Sequence, residues 1–157
     1  MINQGRARLA LWCVMVVVCV GVALAQQTAT PPSEEDQSSA IGSLRSLNTA
    51  EAYYAKEYAH GYSFSLAPLS PPPEGAGASP SAANLIDTSL TGGHKGNYVF
   101  TYKAGAPDAQ GRINSYTLTA RPAKWQKGVQ SFFTDQTAGL RWTKENRAAT
   151  VKDPPIE

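Results

Sequence analysis

The residue types that could carry out catalysis or bind a metal are few and scattered in this chain. Its two histidines, His60 and His94, are far apart, and neither lies beside an acidic cluster. No Gly-x-Ser-x-Gly sequence, the turn that presents a nucleophilic serine, occurs. Asp108 and Asp135 each precede a glycine at a predicted turn, where aspartate caps the turn more often than it binds calcium, an ion that needs several closely spaced oxygens. The sequence therefore predicts a protein that is not an enzyme and holds no metal or cofactor.

Glu51 is the acidic residue that helical spacing places among apolar positions, between Leu44, Leu47 and Tyr58. A lone buried carboxylate is costly and needs a partner. One interpretation makes Glu51 an active-site acid with a raised pKa. The other makes it a buried polar tie that bonds a tyrosine hydroxyl or loop amides and holds the following linker to the helix. We favour the tie, because buried polar groups are usually satisfied structurally.

A basic and aromatic loop is the second feature that suggests binding. Trp125 lies between Lys124 and Lys127 in a short loop after a predicted strand. A tryptophan in such a loop often closes one end of a core, whereas an exposed tryptophan is uncommon without a role. The functional interpretation is a contact surface for a partner or a sugar.

The element that must position Glu51 is a helix predicted over Ser33–Ala59. Its apolar residues recur at steps of three, four and seven, which places them on one face: Ile41, Leu44, Leu47, Tyr54, Ala55 and Tyr58. Ser33 is a suitable N-cap, with Asp36 three residues later and negative charge near the positive helix end. We expect His60-Gly61 to end the helix, with the glycine in the left-handed conformation.

After a proline-rich linker over Gly61–Pro80 and a short helix predicted over Ser81–Leu90, the hydrophobic period changes to two. Alternating aromatic and β-branched residues predict four strands, over Asn97–Ala104, Ile113–Arg121, Ser131–Thr134 and Leu140–Thr143. The predicted fold is α+β, with one long N-terminal helix packed on a C-terminal antiparallel sheet of about four strands in a domain spanning 33–143. We expect the polar tail, 144–157, to lie on the surface or to be disordered.

The first 25 residues resemble a secretory signal peptide. Arg6 and Arg8 precede the apolar run Leu9–Val22, and the small residues around Ala25 suit cleavage before Gln26. The run is shorter than the roughly 20 residues that span a bilayer, which favours cleavage over a retained inner-membrane anchor. A polar leader, 26–32, would then begin the mature protein in the periplasm or outside the cell.

Cleavage would leave a nearly neutral chain without cysteine. The remaining 132 residues carry 12 lysines and arginines against 12 aspartates and glutamates, and both Cys13 and Cys19 lie in the removed segment. Balanced charge argues against electrostatic capture of nucleic acid or of a membrane surface. The sequence thus predicts no nucleic-acid partner, no disulfide, and membrane attachment only through an uncleaved N-terminal segment.

Two stretches resemble type IV pilins and the pseudopilins of type II secretion. The helix sequence from Ala40 to Tyr54 looks like the helix of these proteins, and Ser131–Asp135 leading to Gly139–Trp142 looks like their last hairpin. The Gly-Phe-Thr-Leu-x-Glu sequence that begins a true pilin is absent, since Gly5 is followed by Arg6.

The resemblance implies an exported, non-enzymatic, pilin-like envelope protein that is accessory to a type II secretion or pilus system. Its partners would be other proteins of the bacterial envelope, bound through surface contacts. The alternative is a secreted ligand- or carbohydrate-binding module that uses Tyr53, Tyr62 and Trp125.

Overall fold

The computed structural model describes residues 31–156. The predicted signal peptide, its Ala25–Gln26 cleavage site and most of the polar leader lie outside these residues. The elements, in chain order, are α1 (Glu34–Tyr58), a short 3-10 helix (Ala67–Leu69), α2 (Thr88–Thr91), β1 (His94–Lys95), β2 (Tyr98–Ala104), β3 (Tyr116–Pro122), β4 (Ser131–Asp135) and β5 (Arg141–Thr143). One long helix followed by an antiparallel sheet confirms the α+β class. No helix within 31–156 has the length and apolar character needed to cross a bilayer.

Helix α1 begins where its capping residues predict. The Ser33 hydroxyl accepts from the Asp36 amide at 3.1 Å, and the Asp36 carboxylate accepts from the Ser33 amide at 2.9 Å. At the other end the prediction was wrong, because Ala59 and not Gly61 takes the left-handed conformation that closes the helix, with φ of 56°. Gly61 also has a positive φ, 75°, but for another reason. A Cβ there would lie 2.2 Å from the Ile113 carbonyl oxygen, so only glycine permits this approach.

The sheet has five strands in the order β1-β2-β3-β4-β5, all antiparallel to their neighbours. Phe100 lies opposite Ala120, and Tyr102 lies opposite Leu118. Period-two alternation turns these residues to the face that packs on α1. The predicted count of four strands missed β1, whose two residues are too few to show any alternation.

The core lies between α1 and the sheet, where the helix packs across β3 and β4. Leu44, Leu47, Leu118 and Phe132 are each completely buried. The helix stripe predicted from spacing is therefore largely confirmed, although Ile41, Ala55 and Tyr58 are only half-buried.

The segment predicted as a second helix is mostly extended. The Ala83 amide donates to the Pro68 carbonyl at 2.8 Å, and the Leu85 amide donates to the Leu69 carbonyl at 2.9 Å. These backbone partners belong to the 3-10 helix, so the amides are satisfied without helix formation. Only the turn Thr88–Thr91 is helical, and Asp87, rather than Ser81, caps it.

The polar tail is neither loose nor wholly on the surface, contrary to expectation. Ala149 is 2% exposed and Asp153 is 8% exposed. The Trp142 amide donates to the Pro154 carbonyl at 3.1 Å, and the Ile156 amide donates to the Leu140 carbonyl at 2.9 Å. The tail thus returns along the free edge of β5 and covers it.

Candidate contact surface and the buried acid behind it

An apolar groove of about 570 Å³ lies beside the C-terminal end of α1. It is lined mainly by aromatic, proline and aliphatic side chains from four separate segments, among them Tyr54, Tyr62, Phe64, Pro68, Pro107 and Ile113. Phe64 is 71% exposed, an unusual position for a phenylalanine. His60 is the one residue among those described along the groove, tyrosines aside, that can ionise.

Backbone and side-chain hydrogen bonds fix the walls of this groove. The Tyr62 amide donates to the Ile113 carbonyl at 2.8 Å, joining the segment after α1 to the β2–β3 loop. The Tyr54 hydroxyl donates to the Pro80 carbonyl at 2.8 Å, joining α1 to the far end of the linker. The Tyr62 ring packs edge-on against Tyr116, with ring centroids 4.8 Å apart. The groove is therefore built from ordered elements and is formed in the free protein.

Glu51 lies behind one wall and is completely buried. Its Oε2 accepts from the Ser63 amide at 2.9 Å, and its Oε1 lies 2.5 Å from the Ser63 hydroxyl oxygen. The Tyr102 hydroxyl donates to the Ser63 carbonyl at 2.6 Å, so Ser63 is held by α1 and by β2 together. A loop amide is one of the partner types that the sequence suggested for Glu51. Burial raises the pKa of Glu51, and it raises the pKa of Tyr102 as well, with a smaller contribution from the Glu51 charge.

Asn48, one helical turn before Glu51, forms a second polar anchor. Its side-chain amide donates to the Thr134 hydroxyl at 2.8 Å, and its carbonyl accepts from the Tyr116 hydroxyl at 2.9 Å. These bonds join α1 to β4 and β3. The sequence did not identify Asn48 as an anchor, although its position within the apolar stripe was an available signal.

The structure brings together only part of the predicted basic and aromatic surface. Trp125 and Lys124 line a shallow cleft on the outer face of the sheet, next to Arg121 and Thr101. Lys127 is exposed and lies outside that lining. Trp125 is half-buried, and its indole N–H has no hydrogen-bond partner among the described residues.

The three aromatic residues of the carbohydrate-binding alternative do not form one platform. Tyr53 is 54% exposed and faces a depression on the surface of α1. Tyr62 lies in the apolar groove, and Trp125 lies in the sheet cleft. A sugar ring could therefore contact only one of them at a time.

Asp108 and Asp135, the aspartates at the predicted turns, accept hydrogen bonds from residues close to them in the chain. Asp108 accepts from the amides of Gln110 and Arg112, each at 2.9 Å, and from the Asn114 side chain at 2.9 Å. Chiefly because of the Arg112 amide, the pKa of Asp108 falls to about 2. Asp135 accepts from the Thr137 amide at 2.9 Å. Residues 31–156 contain no group of three or more histidine, aspartate or glutamate side chains arranged to hold a metal.

Comparison of the chain with protein-family models, with curated proteins and with solved structures finds no match.

Proposed function

We propose that this chain is an exported, non-enzymatic, pilin-like protein of the bacterial envelope that acts through protein contacts. The protein is accessory to a type II secretion or pilus system. The apolar groove is its contact surface, into which a partner protein inserts apolar side chains. The main support for this proposal is Phe64, which is 71% exposed at a groove whose walls are ordered. Exposed apolar patches of this kind are typical of protein interaction sites.

Three observations support the proposal. The helix-then-antiparallel-sheet order agrees with the pilin-like resemblance of the sequence. The lining is aromatic and proline-rich, a composition that receives extended apolar or proline-rich segments in other recognition domains. The balanced charge of the predicted mature chain argues against a nucleic-acid partner.

The test is photo-crosslinking in the producing cell with a crosslinking amino acid at position 64. Val151 is the matched control position, because it is a large apolar residue, 55% exposed, and does not line the groove. We expect a discrete crosslinked protein band from position 64 and none from position 151. Equal crosslinking from both positions, or none from either, would remove the groove as the contact surface.

Export is tested separately by mass spectrometry of the N-terminus. Gln26 as the first residue would place the protein in the periplasm or outside the cell. An intact N-terminus in the membrane fraction would favour the alternative, an inner-membrane anchored protein.

A ligand-binding module is the second candidate, now restricted to the sheet cleft. The ring of Trp125 and the cations Arg121 and Lys124 line this cleft, which favours an acidic ligand. A glycan array that includes uronic-acid and sulfated glycans tests it. Binding that Trp125→Ala abolishes would support this function, and an array without hits would remove it.

A further inference from the structure

The hydroxyl of Ser63 has more partners than it has protons. Its oxygen lies 2.5 Å from Glu51 Oε1 and 2.6 Å from the Ser65 carbonyl oxygen. A serine hydroxyl has one proton to donate, and a carbonyl oxygen can only accept. If Glu51 were a carboxylate, Ser63 could donate its single proton either to Glu51 or to the Ser65 carbonyl. In the remaining contact, two oxygen atoms would face each other without a proton between them.

A protonated Glu51 resolves the conflict. The Ser63 hydroxyl then donates to the Ser65 carbonyl, and the Glu51 acid proton on Oε1 donates to the Ser63 hydroxyl oxygen. The second carboxyl oxygen, Oε2, remains free of a proton and accepts from the Ser63 amide at 2.9 Å. Every donor and acceptor of the cluster is satisfied in this arrangement, as buried polar groups generally are.

Within residues 31–156, no cation is among the groups that shift the pKa of Glu51. None of the ion pairs found within 31–156 includes this residue. The titratable groups that face it are the tyrosines Tyr54 from α1, Tyr102 from β2 and Tyr116 from β3, whose pKa values its charge would raise. Ser63 contributes only an amide and a hydroxyl. Desolvation without a cation favours the neutral form of a carboxyl group.

We propose that Glu51 is an uncharged carboxylic acid at neutral pH and that its proton acts as a latch, holding segment 61–66 as a wall of the apolar groove. Loss of the proton to solvent would leave a buried carboxylate. The Ser63 hydroxyl would then turn towards Glu51 and abandon the Ser65 carbonyl. The wall that carries Tyr62 and Phe64 is thus closed at low pH and loosens as the pH rises. This inference concerns the wall itself and does not depend on what the groove binds.

The direct test follows the carboxyl carbon of Glu51 by NMR in the wild-type protein, labelled with ¹³C, from about pH 4 to about pH 9, a range that spans ordinary carboxyl values and stops below ordinary tyrosine values. We expect the chemical shift of a protonated acid at neutral pH and a transition to carboxylate only above it. A carboxylate shift at neutral pH would overturn the proposal. This measurement requires no variant and so does not depend on whether one folds.

The latch itself is tested by hydrogen exchange of the Ser63 amide. The exchange rate is expressed as a protection factor, which removes the pH dependence of intrinsic amide exchange. Between the ordinary carboxyl range and the Glu51 transition we expect wild-type protection to fall towards tenfold per pH unit, the dependence of an opening step that releases one proton, and to level off above the transition. Glu51→Gln is the matched variant, because its amide N–H can donate to the Ser63 hydroxyl oxygen while its carbonyl accepts from the Ser63 amide. Its protection should not depend on pH. The Leu118 amide, in the centre of the sheet, is the internal control. Ser63 protection that varies with pH equally in wild type and Glu51→Gln would refute the latch.

Discussion

The polar anchor at Asn48 yields the sharpest test of how α1 is fixed on the sheet. Asn48 is 7% exposed, and its partners Tyr116 and Thr134 are 3% and 0% exposed. Asn48→Ala removes two hydrogen bonds and leaves both partner hydroxyls without their partner. A net hydrogen bond contributes about 1 kcal/mol, and a buried group left unsatisfied costs about 1–3 kcal/mol. We therefore expect Asn48→Ala to lower the free energy of unfolding by about 3 kcal/mol.

A double-mutant cycle separates the hydrogen bond from the packing. Tyr116→Phe keeps the ring and removes only the hydroxyl that donates to Asn48 at 2.9 Å. Tyr116→Phe alone should lower the free energy of unfolding by about 1–2 kcal/mol, because the Asn48 carbonyl then has no donor. Since both variants lose the same bond, the double variant should cost about 1 kcal/mol less than the sum of the single changes.

The assay is urea unfolding followed by tryptophan fluorescence, with an unchanged denaturant slope as evidence that the native state is unaltered. Thr49→Ala is the matched control, because Thr49 is the next helix residue and faces solvent. It should change stability by less than about 0.5 kcal/mol. If Asn48→Ala behaved like this control, or if the two costs in the cycle simply added, the polar anchor would not exist as described.

Three further predictions follow from the other polar contacts. Burial raises the pKa of Glu51 above its ordinary value of 4.5. The stabilisation from this group is therefore complete below pH 4.5 and is lost as the pH rises through the pKa of the folded state. Urea unfolding at several pH values should show this loss in wild type and not in Glu51→Gln. Hydrogen bonds from Arg147 lower the pKa of Asp153 below its ordinary value of 3.8, so its stabilisation is present above that pH and is lost as the pH falls through the lower folded value. Acid titration followed by Trp142 fluorescence should show tail release in wild type, whereas Asp153→Asn should show the released signal already at neutral pH. Finally, Ser33→Ala should cost about 1 kcal/mol in urea unfolding, because it removes the N-cap of α1.

The elements that the sequence predicted well are those with two independent local signals. Helix α1 combines an apolar period with a capping residue, and its predicted bounds differ from the observed ones by one residue at each end. Strands β2 and β3 combine alternation with turn residues between them. Glu51 could also be recognised in advance, because the helical angle alone places it among buried positions.

The elements that were missed obtain their order from distant parts of the chain. The amides of 83–86 donate to the carbonyls of 68–70, and no local pattern encodes that pairing. The tail looks polar and free in sequence, yet Arg147 and Asp153 neutralise each other there. The groove was not predicted at all, because its lining comes from α1, the linker and the β2–β3 loop, which meet only in the folded chain.

The two buried polar residues of α1 have different roles, and this division bears on the proposed contact surface. Burial of an apolar stripe stabilises the packing of a helix on a sheet, but the hydrophobic effect is non-directional. The stripe alone therefore determines poorly which position along the sheet the helix takes. Asn48 binds β3 and β4 and so sets the position of α1 on the sheet. Glu51, one turn later, binds the segment that follows the helix. A change at Asn48 should therefore affect the whole domain, whereas a change in the charge of Glu51 should act on one groove wall. A binding surface that responds to pH while the core remains folded requires this separation.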